Sequence, residues 1–252
     1  MTDADTVSAN KAHFDKLAAE YDAKYEKTSL QLEREIRNRK DFIGVDWADD
    51  DDDDDDDDND NDDTAETAPA TDSKSVRLLD YACGTGLISR ALIQYTTHCV
   101  GIDISENMVA AYNARAENQG LSADEMRAYQ GNLTDPADPD PAAFSGARFR
   151  DFDVAGVGLG FHHFADPELS AKRLVERLRP GGVFVILDFL PHEKMDNGLP
   201  AASTVMHHGF SEERMRAIFE QAGAVMGVGM VTIMAIGMDI AMVTVMLGRR
   251  RA

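Results

Sequence analysis

The chain has few cysteines and few basic residues, and each shortage excludes a class of protein. Cys83 and Cys99 are its two cysteines, too few for a disulfide framework. Its 25 Lys and Arg residues stand against 46 Asp and Glu, a formal charge of −21, and a field of that sign repels nucleic acid and anionic lipid. Residues 1–14 contain no apolar stretch of the signal-peptide type. We therefore expect a cytoplasmic protein; protein and nucleic-acid substrates stay open, with nucleic acid the poorer candidate.

Most of the acidic excess lies in one segment. Residues 49–63 contain thirteen aspartates, ten of them consecutive. Without them the formal charge falls to about −8, which is ordinary for a soluble domain. The composition of residues 47–75 predicts a disordered insertion, because it cannot bury enough apolar surface to offset the entropy cost of ordering. This insertion separates a predicted N-terminal helical cap at residues 1–46 from a predicted domain at residues 76–252.

Residues 223–248 form an apolar segment with the length of a membrane span. Asp239 lies near its middle, where a charge is costly, and three glycines interrupt it. Its β-branched residues fall in two runs, which favours two buried strands joined near residues 237–239 over a transmembrane helix. Methionines recur at every fourth position of this segment, and we expect them to fill a core rather than bind a metal or cofactor.

The coarse pattern of the rest predicts an α/β protein. Apolar residues at helical spacing predict a helix over residues 10–43, with a break at Thr28-Ser29. From Val76 onward, strand-like and helix-like patterns alternate, which is typical of a parallel sheet covered by helices on both faces. The predicted strands lie at residues 76–81, 98–103, 126–130, 152–158 and 183–189.

Capping residues and turns define the helix boundaries and the end of the sheet. Ser105, Asp166 and Ser211 are predicted N-caps, and the helix after Asp166 is expected to end at residues 180–182. The two final strands are separated by a tight turn and must run antiparallel, since a parallel crossover needs a dozen or more residues. The predicted fold is a Rossmann-like, doubly wound, seven-stranded sheet, mostly parallel, with a C-terminal antiparallel hairpin and helices on both faces.

The ends of the first two predicted strands carry residues that suit an adenosine-bearing ligand. Gly84 and Gly86 form a turn between a strand and a helix, where backbone approaches a ligand closely. Asp103 closes the next strand about 20 residues later, where an acid can accept both hydroxyls of a ribose. Ser89 replaces the third glycine of the dinucleotide pattern. A negative Asp80 would oppose a pyrophosphate and favour the cationic S-adenosylmethionine.

Four ordered motifs resemble the class I S-adenosylmethionine-dependent methyltransferases, particularly the ubiquinone/menaquinone-methyltransferase-like group that acts on small molecules. The motifs are LLDYACGTG at residues 78–86, VGIDIS at 100–105 with Met108, GLGFHHF at 158–164 and LRPGG at 178–182. The resemblance covers residues 76–249 and the tyrosines of the N-terminal helix. It implies the seven-stranded sheet with a terminal antiparallel hairpin, S-adenosyl-L-methionine as cofactor and a small-molecule methyl acceptor.

The resemblance also implies roles for individual residues. Asp80, Ala82, Gly84 and Gly86 would hold the methionine portion, and Asp103 would hold the ribose. The remaining implied cofactor contacts are Ile104, Met108, Asn132 and Leu133 around the adenine, Gly158 near the ammonium, and Tyr21 and Tyr25 closing over the cofactor. Ala82 stands where many members carry glycine, and alanine costs little there unless its φ is positive. Cys83, in the same motif, is expected to be a packed small residue at the cofactor loop rather than a nucleophile.

Candidate general bases lie at the strand ends. They are His162, His163, His192 and Glu193. A histidine pair after the fourth strand recurs in the family as part of the fold, so a structural role for His163 stays open beside a catalytic one. No cluster has the spacing of a metal site.

Two alternatives stay open. A nicotinamide-dependent oxidoreductase would use Asp103 against the ribose of NAD. A non-catalytic cofactor-binding regulatory protein would keep the fold and use the aspartate run as an interaction segment. The acceptor molecule and the oligomeric state have no diagnostic motif.

Overall fold

The computed structural model describes residues 3–48, 74–194, 201–226, 231–234 and 242–251. The aspartate run and the predicted turn at residues 237–239 lie outside the described residues. The helices and strands of the described part are α1 (Asp3–Arg37), α2 (Lys40–Ile43), β1 (Arg77–Tyr81), α3 (Leu87–Leu92), β2 (His98–Asp103), α4 (Glu106–Asn118), β3 (Met126–Gln130), β4 (Phe152–Gly158), α5 (Pro167–Val175), β5 (Leu178–Phe189), α6 (Glu212–Gln221), β6 (Ala224–Met226), β7 (Val231–Met234) and β8 (Met242–Arg250).

The strands form one mixed sheet in the order β3-β2-β1-β4-β5-β8-β6, with β7 also paired to β8. Strands β1 to β5 are parallel, and β8 runs antiparallel to β5, β6 and β7. In the described part of the chain the sheet therefore has seven positions, and β6 and β7 share the outermost one along β8. The predicted doubly wound sheet with an antiparallel C-terminal end is confirmed. One strand of the predicted hairpin corresponds to two shorter strands, β6 and β7.

Both faces of the sheet are buried because alternate residues of each strand point to opposite sides. Leu78 and Val154 belong to the core beside α1 and α3. Leu79 and Ala155, one position further along, belong to the core beside α5 and α6. This double burial explains why the strands are nearly continuous apolar runs.

Helix α1 is continuous, so the predicted break at Thr28-Ser29 is wrong. Thr28 is buried, and Leu32 and Ile36 on the same helix are buried in the core. Packing against α3 and α4 therefore outweighs the weak helix propensity of Thr and Ser.

Trp47 corrects the boundary of the predicted insertion. Its side chain is 1% exposed, its ring centroid lies 6.0 Å from that of Tyr95, and its indole N–H donates to the Lys40 carbonyl at 3.2 Å. The packed part of the chain thus includes Trp47, which the composition had assigned to the insertion.

Helix α5 ends at Val175 rather than at residues 180–182, and β5 begins already at Leu178. Leu178 pairs with Phe152, and the register then shifts before Val154 pairs with Val183. This irregularity accommodates the Pro-Gly-Gly segment inside β5, because proline lacks a donor and fits such positions. The three predicted N-caps are confirmed: Ser105, Asp166 and Ser211 each accept a backbone N–H of the first helical turn.

None of the helices in the described residues combines the length and apolar composition needed to span a bilayer. Within the sheet, the strand order reverses beside β1, whose neighbours are β2 and β4. In open α/β sheets the crevice at such a reversal, outside the carboxyl ends of the strands, is where ligands bind.

Candidate active site

A cavity of about 1240 Å³ lies at the carboxyl ends of β1, β2 and β4, with α1 along one side. Its wall includes Gly84 after β1, Asp103 at the end of β2 and Gly158 at the end of β4. Ligand sites typically measure about 300–1,000 Å³. The cavity therefore has room for a cofactor and a second molecule.

The glycine turn uses its two glycines differently. Both have positive φ, +51° at Gly84 and +96° at Gly86, a conformation that L side chains rarely adopt. A Cβ on Gly84 would meet nothing within 4 Å, whereas one on Gly86 would lie 3.0 Å from the Tyr112 ring. Gly84 lines the cavity and Gly86 does not. Gly86 thus serves the packing of the turn, and Gly84 faces the ligand space.

Asp103 is the carboxylate that joins the glycine turn to β2. Its Oδ2 accepts the Gly84 N–H and its Oδ1 accepts the Ser105 N–H, both at 2.8 Å. Burial raises the pKa of this carboxyl, while the two backbone donors oppose the rise. Each oxygen keeps a further lone pair, so Asp103 can still accept two ligand hydroxyls.

Asp80 does not reach the cavity. Its Oδ2 accepts the Ser89 N–H at 3.0 Å and the Ser89 hydroxyl at 2.8 Å, and its side chain is buried behind the turn. Burial raises the pKa of Asp80 to about 7, against the opposing hydrogen bonds from Ser89. The structure therefore does not bring Asp80 together with the other predicted cofactor contacts.

Three of the four predicted adenine contacts lie on one wall of the cavity: Ile104, Met108 and Asn132. The fourth, Leu133, is buried in the core and does not line the cavity. The amide oxygen of Asn132 accepts from the Tyr81 hydroxyl and from the Thr134 N–H, each at 2.9 Å. The Asn132 amide group is thus oriented by fixed neighbours.

Two non-glycine residues on the cavity wall have left-handed backbone. Ala82 follows β1 with φ +52°, and Leu159 follows β4 with φ +56°. Such conformations cost about 1–2 kcal/mol per residue and occur at ligand sites where the surroundings impose them. Ala82 therefore has the positive φ at which alanine is costly.

Cys83 lines the cavity but is 4% exposed, and burial raises the pKa of its thiol well above the usual range. A thiol in that state is a poor nucleophile. Gly158 lies close to α3, since a Cβ there would be 3.1 Å from the Ile88 side chain.

Tyr21 and Tyr25 lie one turn apart on α1 and both line the cavity. Their ring centroids are 4.9 Å apart. Burial raises the pKa of Tyr21 to about 12, so its hydroxyl is a hydrogen-bond donor at neutral pH.

His162 is held by Asp188, a residue at the end of β5 that the sequence had not indicated. Asp188 Oδ1 lies 2.8 Å from His162 Nδ1, and its Oδ2 accepts the His162 backbone N–H at 3.0 Å. Although burial raises the pKa of Asp188, the pairing with His162 outweighs it and the pKa is lowered. A carboxylate only accepts, so Nδ1 carries a proton and Nε2 of neutral His162 is the basic atom. His162 lines the cavity.

The His163 ring lies against that of His162 at a tilt of 40°, with ring centroids 4.0 Å apart, and His163 also contacts other elements. Its Nδ1 donates to the Thr204 carbonyl at 2.8 Å, and its own carbonyl accepts from the Asn10 side chain at 3.1 Å. Burial lowers the pKa of His163 to about 3. These contacts favour the structural role for this residue.

His192 and Glu193 lie at the rim, after β5. The His192 Nδ1 faces the Glu193 carbonyl at 2.7 Å, and Glu193 is exposed. They are therefore less restrained than His162.

Sequence reasoning missed a charged cluster between α1 and α3. Asp22 accepts from the Thr85 hydroxyl at 2.7 Å and pairs with Arg115. Arg90 on α3 lies 3.0 Å from Glu33 and lines the cavity. A helical wheel of α1 could have shown that Asp22 and Glu33 share a face. Their partners lie far away in the sequence, so no local pattern indicates the pairing.

Comparison with known proteins agrees with this geometry. Residues 79–184 match the family described as Methyltransferase domain. An uncharacterized methyltransferase of Schizosaccharomyces pombe is 30% identical over 151 residues, which are 58% of this chain and 52% of that protein. A demethylmenaquinone methyltransferase of Thermus thermophilus is 33% identical over 132 residues, 52% of this chain and 54% of that protein. The chain thus spans about half the length of these curated relatives.

Solved structures show the same fold. A methyltransferase of Haloferax volcanii, solved in complex with the Trm112 methyltransferase activator, matches with a TM-score of 0.61 and 16% identity over 95% of this chain and 98% of that chain. An S-adenosylmethionine-dependent methyltransferase from Clostridium acetobutylicum matches with a TM-score of 0.51 and 14% identity over 70% and 84%. The methyltransferase resemblance found in the motifs is confirmed for residues 79–184, which match a methyltransferase domain, and the solved structures share the fold.

Proposed function

We propose that this protein transfers a methyl group from S-adenosylmethionine to a small-molecule acceptor. The observation that carries the proposal is Asp103, a buried carboxylate on the cavity wall that is fixed against the glycine turn by two backbone N–H groups. A carboxylate in that position suits the two hydroxyls of an adenosine ribose.

The residues that line the cavity fit the cofactor. Asp103 has lone pairs for the ribose, Ile104 and Met108 offer apolar walls for adenine, and Asn132 presents an oriented amide. Gly84 and Gly158 allow close backbone approach, and Tyr21 and Tyr25 close the space from α1. Asp80 and Gly86 would support the turn from behind rather than contact the ligand.

When bound, the cofactor would supply an electrophilic methyl group on a cationic sulfonium. The chain's residues would align the acceptor for in-line attack and keep water out. His162 Nε2 would take the proton that the acceptor gives up when it is methylated. Asp188 would hold His162 in the correct tautomer and stabilise the imidazolium that forms.

The acceptor proposal follows from what surrounds His162. The adjoining wall includes aromatic side chains from α1, from the segment after β4 and from the end of β5: Phe14, Phe164 and Phe189. Together with the size of the cavity, this favours a small apolar or aromatic acceptor. Two free, buried cysteines fit the reducing cytoplasm that we propose as the location.

The test is calorimetric binding of S-adenosylmethionine and S-adenosylhomocysteine, followed by transfer of a labelled methyl group into cell extract. We expect Asp103→Asn to weaken binding of both roughly 10- to 100-fold, because each charged hydrogen bond contributes about 1.5–3 kcal/mol. We expect His162→Gln to bind normally and to lose roughly 10²- to 10⁴-fold in transfer rate. His98→Gln, at an exposed histidine at the start of β2, is the matched control.

The same experiment addresses the two alternatives. Tight binding of NAD with no binding of S-adenosylhomocysteine would replace the proposal by an oxidoreductase. Cofactor binding without methyl transfer to any component of the extract would favour a regulatory protein. The matching family and the curated relatives reported above are named as methyltransferases and lend no support to either alternative.

A further inference from the structure

Arg90 is a largely buried cation on the cavity wall, and one of its donors has no partner among the described residues. It lies on α3, and its side chain is 10% exposed. One terminal nitrogen is 3.0 Å from Glu33 Oε1, and the other is 4.0 Å from Asp22 Oδ1. Among the described residues its Nε has no hydrogen-bond partner. A buried donor without a partner is costly, so this guanidinium is suited to a further acceptor.

The described charges around Arg90 leave a surplus of cations. Asp22 also pairs with Arg115, and Glu33, which is 9% exposed, also lies 3.9 Å from Arg37. Two acids therefore face three guanidinium groups, and a further carboxylate would offset the surplus.

The other cations on the described cavity wall are less fixed. Lys24 and Lys194 are exposed, and Lys11 is 39% exposed and pairs with Asp15. A buried, planar guanidinium recognises a carboxylate through paired N–H donors far more specifically than a solvated ammonium does. Arg90 is thus the best-placed described cation for a ligand carboxylate.

We infer that Arg90 binds the carboxylate of the cofactor's amino-acid portion, an inference that rests on the proposed function. Arg90 lies near the glycine turn, because Asp22 contacts both Arg90 and Thr85. The nucleoside walls, Ile104 and Met108, follow β2 instead. The adenosine and amino-acid ends would therefore be bound by separate groups of residues.

The test compares S-adenosylhomocysteine with 5′-methylthioadenosine, which keeps the nucleoside and lacks the amino-acid portion. We expect Arg90→Met to weaken S-adenosylhomocysteine binding roughly 10- to 100-fold in calorimetry. Binding of 5′-methylthioadenosine should change less than about threefold, because it makes no contact with Arg90. Arg90→Lys should give an intermediate loss, since it keeps the charge without the planar fork.

Arg115→Met is the matched control, because it removes a guanidinium from the same cluster that does not line the cavity. It should leave the ratio of the two affinities unchanged. A decarboxylated analogue of S-adenosylhomocysteine tests the same contact on the unaltered protein. The unaltered protein should bind this analogue roughly 10- to 100-fold more weakly than S-adenosylhomocysteine.

The outcomes separate the two proposals. If the unaltered protein binds S-adenosylhomocysteine and the decarboxylated analogue equally, or if Arg90→Met weakens both test ligands alike, the assignment of Arg90 is overturned while the proposed function stands. If the unaltered protein binds no adenosyl ligand, the proposed function itself fails.

Discussion

At the scale of single residues, two aspartates at neighbouring strand ends have different environments. Asp103 faces the cavity and is held by backbone N–H groups, whereas Asp80 is buried behind the turn and bonded to Ser89. The sequence placed both beside the ligand, because both close a strand before a loop. Only side-chain packing separates them: Ser89 lies on α3 and accepts from Tyr112 of α4 at 2.8 Å.

Asp80 is expected to make the stability of the protein fall as the pH rises from about 4 to about 7. Its pKa is raised from 3.8, the value for an unfolded chain, to about 7 in the folded protein, chiefly by burial. The folded state binds the proton more tightly, so this contribution is complete below about pH 4 and is lost as the pH rises through 7. We compare the melting temperature of Asp80→Asn with that of the unaltered protein at the same pH. We expect the difference, variant minus unaltered protein, to be larger at pH 8 than at pH 5.

The difference between the two melting curves isolates Asp80, since all other groups titrate in both proteins. Asp138→Asn, at an exposed aspartate, is the control for a change of net charge. If the melting temperatures of Asp80→Asn and of the unaltered protein change in parallel with pH, the pKa of Asp80 is not raised on folding and the prediction is wrong.

Ala82 stores backbone strain. Its φ of +52° suits glycine, so we expect Ala82→Gly to raise the free energy of unfolding by about 0.5–1 kcal/mol, after the greater chain entropy of glycine is subtracted. Ala110→Gly, at an exposed position inside α4, should instead lower it by about 1 kcal/mol. Denaturant unfolding measures both, and two changes of the same sign would contradict the strain at Ala82.

At the scale of elements, α1 connects the ends of three strands. Asn10 bonds to the carbonyl of His163 after β4. Asp15 accepts from the Ser105 hydroxyl after β2 at 2.7 Å, and Asp22 accepts from Thr85 after β1. The helix therefore stabilises one side of the cavity through polar contacts, and these contacts set how readily it opens.

We expect Asp22→Asn to loosen α1 without affecting the sheet. The variant keeps the shape of the side chain but loses the ion pair with Arg115 and the charge that strengthens the hydrogen bond from the Thr85 hydroxyl, a loss of about 1 kcal/mol for a group 39% exposed. Amide hydrogen exchange around Asp22 should then be roughly fivefold faster, because local opening is easier. Glu26→Gln, at an exposed glutamate of the same helix, is the control. Equal exchange in both variants would rule out the Asp22 contacts as the restraint.

The elements differ in how far local sequence predicts them. Strands β2, β3 and β4 have the predicted bounds, because each is a short apolar run between turn residues. The end of α5 and the continuity of α1 were mispredicted. Both depend on distant packing: the pairing of Leu178 with Phe152, and the burial of Thr28 and Leu32.

At the scale of the whole molecule, the position of the cavity follows from strand order. The chain passes from β1 to β2 and β3 on one side and then returns to place β4 beside β1 on the other. The helices after these strands consequently lie on opposite faces and leave a crevice where they diverge. The Haloferax volcanii methyltransferase shares this fold over 95% of the chain despite 16% identity, which shows that the arrangement tolerates extensive substitution.

The sequence by itself determined the alternation of strands and helices, the glycine turn and the acid that follows it, since these depend on local backbone preferences and on the period of apolar residues. The tertiary structure alone decided which of these side chains share a cavity. It placed Asp80 and Leu133 outside the lining of the cavity, paired His162 with Asp188, and brought Arg90 to the cavity wall. Those outcomes depend on contacts between residues far apart in the chain, whose geometry no local pattern contains.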